Sequence, residues 1–168
     1  TIEEYKEKIK DTQTDKNDKT IVLYTQDEKE QYSFIQTAVD RSYDVVIMNT
    51  PISSHLIGKL EQKEDKLSFT RVDADIIDKL IQKDEEIPSK LTDEEKEKLK
   101  PVIEGSVQKE KFNVQFESMS ENDRPIIITQ SEFMRRMKEQ QMSGGGVNMF
   151  GAMPEMYNMV VNANHPLI

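Results

Sequence analysis

Ser53, Ser54 and His55 are adjacent, and His165 is the only other histidine in the chain. A hydroxyl nucleophile needs a base set opposite it by the fold, and neighbours on one backbone rarely reach that geometry. No Gly-x-Ser-x-Gly turn presents either serine. Neither histidine has a second metal ligand at helical spacing, and the lack of cysteine removes thiolate nucleophiles, thiolate metal sites and disulfides. The run Gly144-Gly145-Gly146 invites a phosphate-loop reading. No Lys-Ser or Lys-Thr pair follows it, and no helix pattern begins where phosphates would need amide donors, so it reads as a flexible loop. Asp73, Asp75 and Asp78 lie beside isoleucines, but a helix start and its solvent face explain them more simply than a perturbed acid. Nothing nominates a catalytic centre, a cofactor site or a metal site.

The chemistry that remains is apolar and soft. Seven of the nine methionines fall between Met134 and Met159, on both sides of the glycine run. Methionine is unbranched and polarizable, so it fills irregular gaps in cores and also lines surfaces that accept unrelated partners. Phe133, Met134 and Met137 span an arc too narrow to anchor a core helix firmly along its length. Met142, Val147, Met149, Phe150 and Met153 continue the supply of apolar groups without helical or strand period. Two readings stay open here. One is a gap-filled core with a loose loop. The other is an adaptable apolar surface made by Phe133, Met134, Met137, Met142, Met149 and Phe150.

The elements that must position this segment fall into two halves. Residues 1 to 83 alternate helix and strand signals. Thr1 and Glu4 form a capping box ahead of the stripe Ile2, Tyr5, Ile9, and Asn17-Asp18 marks a turn. Thr20 to Thr25 and Asp44 to Met48 are apolar without alternation, the pattern of strands buried on both faces. Phe34, Ile35, Ala38 and Val39 give a helix between them, and Ile52, Leu56, Ile57 and Leu60 give the next. Leu67 to Val72 is a third strand, followed by a helix with Ile76, Ile77, Leu80 and Ile81 behind Asp73 as its cap. The expectation is an α/β layer with a small parallel sheet. Residues 84–91, charged and broken by Pro88, read as a linker.

Residues 92 to 168 carry a different rhythm. Thr92 and Glu95 make a second capping box, and Pro101 is expected to kink or restart the helix they open. Phe112, Val114 and Phe116 alternate with polar residues as a one-faced strand. Pro125 to Thr129 reads as a buried strand, Thr129 and Glu132 as a cap, and the helix that follows carries Phe133, Met134 and Met137 on one side with Arg135, Arg136, Lys138 and Glu139 around the rest. Met156 to Val161 is a further strand, which makes this half a small open α+β unit.

Composition narrows the partners. The net charge is −9, from 23 basic and 32 acidic residues, and no cationic run exceeds two residues, which disfavours nucleic acid. No apolar stretch approaches the ~20 residues that cross a bilayer, so no membrane partner is expected. The absence of cysteine fits a reducing cytosol, and a cytoplasmic location is expected. The chain begins without methionine and ends on His165-Pro166-Leu167-Ile168, which reads as a piece of something longer.

Several segments, in order, resemble one family. They are Thr1-Ile2-Glu3-Glu4-Tyr5, Ile21 to Thr25, Asp44 to Met48 with Pro51-Ile52, Pro125 to Thr129, Met134-Arg135-Arg136-Met137-Lys138, and Asn162-Ala163-Asn164-His165-Pro166-Leu167-Ile168. Together the chain resembles the ninety-kilodalton heat-shock protein chaperones, most closely their bacterial form. Ala163 and Asn164 depart from the family's usual proline and aspartate. The resemblance implies that residues 1 to 83 are the last α/β subdomain of the middle domain and that 92 to 168 open the C-terminal domain. It implies an ATP- and Mg-binding domain upstream and dimerising helices downstream. The fragment itself would then hold no catalytic residue or cofactor and would be monomeric or weakly self-associating. The helix with Phe133, Met134 and Met137 corresponds by resemblance to one that contacts unfolded or partly folded client proteins. The alternative is a non-catalytic scaffold or interaction domain with a methionine-filled core.

Overall fold

A computed structural model describes residues 1–83, 87–143 and 156–168, without the side chains of 139–143. The chain divides into two compact units, Thr1–Asp84 and Glu85–Ile168.

The first unit runs α1 (Ile2–Ile9), β1 (Thr20–Thr25), α2 (Tyr32–Asp40), β2 (Val45–Ile47), α3 (Ser53–Lys63), β3 (Leu67–Arg71) and α4 (Ile77–Leu80). Its sheet is parallel throughout, in the order β2-β1-β3, with Leu23 opposite both Val45 and Thr70. The central strand β1 is buried at every position, as its unbroken apolar run requires. Successive side chains of a strand point to opposite faces, and the core divides accordingly. Ile21 and Leu23 pack with Ala38, Phe34 and Ile35 of α2 and Ile77 and Leu80 of α4. Val22 and Tyr24 pack with Ile2, Tyr5 and Ile9 of α1 and Ile57 and Leu60 of α3. The Thr1–Glu4 capping box is formed on both sides. Helix α2 ends in a Schellman turn: the amide of Tyr43 donates to Ala38 O and that of Ser42 to Val39 O, with Ser42 left-handed at φ 60°.

Two expectations here fail. Strand β2 is not buried on both faces: it lies at the edge of the sheet, with Val45 and Val46 half-buried and Ile47 51% exposed. The last helix is only four residues, and Asp73 does not cap it, because both its carboxylate oxygens are taken by Arg71, at 2.6 Å from Nε and 3.0 Å from Nη2.

The second unit runs α5 (Asp93–Glu104), β4 (Phe112–Glu117), β5 (Ile126–Thr129), α6 (Glu132–Ser143) and β6 (Tyr157–Asn162). Its sheet is mixed: β6 lies in the middle, parallel to β4 and antiparallel to β5. Val160 and Val161 of β6 are fully buried, with Val114, Met119 and Ala163 beside them. The second capping box forms at Thr92 and Glu95.

Helix α5 carries Pro101 in its interior and does not restart there. Two expectations are corrected in this unit. Strand β5 is not buried but lies at the edge of the sheet, leaving Ile126 41% and Ile128 38% exposed. The expected cap of α6 is not formed either. Thr129 is the last residue of β5, its buried hydroxyl has no partner among the described residues, and the Glu132 carboxylate turns to arginines of its own helix.

Candidate functional site

Helix α6 is built from strong helix formers, with Glu132 in its first turn where the helix dipole favours a negative charge. Glu132 accepts from Nη2 of Arg135 at 2.5 Å and from Nε of Arg136 at 2.7 Å, the i,i+3 and i,i+4 neighbours that a helix brings together. Burial pushes the Glu132 carboxyl up, but the hydrogen bonds and charges of Arg135 and Arg136 outweigh it and hold its pKa below the ordinary glutamate value.

Arg135 of this helix is buried, only 5% exposed. The arginine stem is apolar enough to be buried, and the guanidinium goes in already paired. The consequence for the opposite side follows from helix geometry. Phe133 and Arg135 are about 200° apart around the axis, so a helix that buries one presents the other. Phe133 is 68% exposed. Met134 and Met137 are half-buried. Met142 belongs to α6 but its side chain is outside those described, while Met149 and Phe150 lie outside the described residues altogether.

A second apolar strip, missed from sequence as a surface, is the outer part of the second sheet. The register puts Ile128, Met159 and Val114 in one row and Ile126, Val161 and Phe116 in the next, all on one face. The β4 and β6 members are buried or half-buried, whereas Ile126 and Ile128 are open. An Ile-Ile-Ile run has no period to separate a central strand from an edge strand, and the one available signal was Pro125 just before it.

The polar candidates have structural employment. Ser53 is buried, with Oγ 2.9 Å from Thr50 Oγ1 and accepting the Thr50 amide, so it organises the start of α3. His55 is exposed on that helix. His165 Nδ1 accepts the Leu167 amide at 3.1 Å. Asp75 accepts the amide of Ile76, and Asp78 pairs with Arg41. Among the described residues no group of three His, Cys, Asp or Glu side chains is arranged to hold a metal ion. No helix among them is long and apolar enough to cross a membrane.

The arrangement offers no assembled reactive centre among the described residues. It offers an exposed phenylalanine beside soft side chains, on a helix whose buried Arg135 pairs with Glu132 of the same helix.

No family model matches the chain. Curated relatives do, from end to end. The chain is 40% identical to the chaperone protein HtpG of Bacteroides thetaiotaomicron over 171 aligned residues, covering all of this chain and 25% of that protein. It is 39% identical to HtpG of Bacteroides fragilis and of Porphyromonas gingivalis, with the same coverage. The chain thus spans about a quarter of the length of the relatives it matches.

Proposed function

We propose that this chain, which corresponds along its whole length to about a quarter of an HtpG chaperone, is a client-binding and structural segment of a protein that assists folding under stress. The observation that carries the client-binding part is Phe133. A large aromatic side chain left 68% exposed on a helix is what an apolar contact surface requires. Met134 and Met137 beside it supply side chains that re-pack against different sequences at little cost. The partners are unfolded or partly folded chains, whose exposed apolar side chains are the complement of this surface.

In this reading the chemistry of ATP lies elsewhere in the longer protein, with Mg, and so does the dimer interface. This segment contributes contact rather than catalysis, and the setting is the bacterial cytoplasm.

The test is a binding titration of the 168-residue chain against reduced, carboxymethylated α-lactalbumin, which stays unfolded. Phe133→Ser is expected to cost under about 0.5 kcal/mol in stability, as for exposed positions, and to weaken binding at least fivefold. A folded variant that binds at full affinity would end the client-surface reading. A variant that fails to fold would restore the reading in which this helix face is core.

A further inference from the structure

Residues 84–91 read from sequence as a linker, and the side chains from Ile87 to Lys90 are exposed. Its backbone is held all the same. Asn164, just past the end of β6 and only 5% exposed, uses its whole amide on three other backbone groups. Its Oδ1 accepts the Lys90 amide at 2.7 Å, and its Nδ2 donates to the carbonyls of Pro88 and Met119, both at 3.0 Å. Two carbonyls on one side and one N–H on the other fix which way the amide points. Asn164 is itself set in place by Asn162, fully buried, whose Oδ1 accepts the amides of Met119 and Asn164 and whose Nδ2 donates to Ser120 O.

We propose that residues 87–91 form a strap pinned to the end of the second sheet by Asn164, and that releasing this one side chain frees the strap while the sheet stays folded. The other tie, between Lys90 Nζ and Glu121 at 2.6 Å, joins two largely exposed side chains and is weak against solvent. Both the strap and its pin belong to the second unit.

Hydrogen exchange and limited proteolysis with a non-specific protease test it on the whole chain. In the wild type the Lys90 amide, which donates to Asn164 Oδ1, is expected to be protected. Asn164→Ala is expected to speed its exchange at least about tenfold and to accelerate cleavage within 87–91, while Val160 and Val161 keep their protection. Lys90→Pro removes the strap's own donor and leaves Asn164 and Asn162 untouched, so it decides the matter if Asn164→Ala unfolds. It should give the same faster cleavage with β6 intact. Unchanged cleavage in Lys90→Pro, an unprotected Lys90 amide in the wild type, or loss of β6 protection in both variants would overturn the proposal.

Discussion

Replacing Glu132 with glutamine keeps the shape of the side chain and one acceptor oxygen but removes the charge that faces Arg135 and Arg136. In the folded chain the Arg135 guanidinium is buried and Glu132 is its nearest carboxylate, at 2.5 Å. Taking away one partner of such a pair costs about 3 kcal/mol, the low end for buried pairs, since the glutamine oxygen still accepts. A unit of this size has a total stability of about 4–12 kcal/mol, so the loss is a quarter or more of it. With a urea slope of about 1.5 kcal/mol/M, the midpoint should fall by about 2 M. The effect has a defined pH dependence. Because the folded-state pKa of Glu132 is depressed, the stabilisation is complete above the ordinary glutamate value and is lost as pH falls through the lower folded value. The gap between wild type and Glu132→Gln should therefore be widest at neutral pH and close in acid, while other acid titrations cancel in the difference. Urea titrations at pH 7 and pH 3, followed by the amide signals of β4 and β6, report the second unit alone. A difference below about 0.5 kcal/mol at pH 7, or one that persists unchanged at pH 3, would refute the claim that the buried Arg135 depends on the Glu132 charge.

The two units should unfold in separate transitions, and Leu23→Ala should lower only that of the first. Leu23 is fully buried in the central strand, so the expected loss is about 3 kcal/mol; a single transition shifted as a whole would contradict this. Ser42→Gly should stabilise the first unit by about 1 kcal/mol, because the left-handed turn that ends α2 strains any residue with a β-carbon. No gain in thermal midpoint would show that Ser42 is held there by something other than the turn.

Much of the first unit was legible because its strands carry a rule of their own. Thr20 to Thr25 is apolar without alternation, which only a strand covered on both faces tolerates, and the helices between strands then force parallel pairing. Both capping boxes were legible because Thr and Glu three residues apart satisfy each other locally. What escaped depends on which neighbour a side chain pairs with. Asp73 looked like a cap, but Arg71, two residues before it, takes both oxygens. The burial of Arg135 was not legible, because its charge does not say that Glu132 one turn back will pair with it. Pro101 was expected to kink or restart α5, and the helix does not restart there. Pro125 to Thr129 looked buried because apolar content does not say where in a sheet a strand stands. The surface reading of Phe133 and the two methionines came from the narrowness of their arc. Phe133 is exposed and Met134 and Met137 half-buried, and the burial of Arg135 on the side opposite Phe133 was not legible.

The central claim is that α6 is where an unfolded chain makes contact, and hydrogen exchange over residues 129–160 with and without carboxymethylated α-lactalbumin tests it directly. The expected result is slower exchange in α6, around Phe133 to Met137, with the already protected amides of β4 and β6 unchanged. Client binding that leaves α6 unaltered and protects another part of the chain would contradict the account.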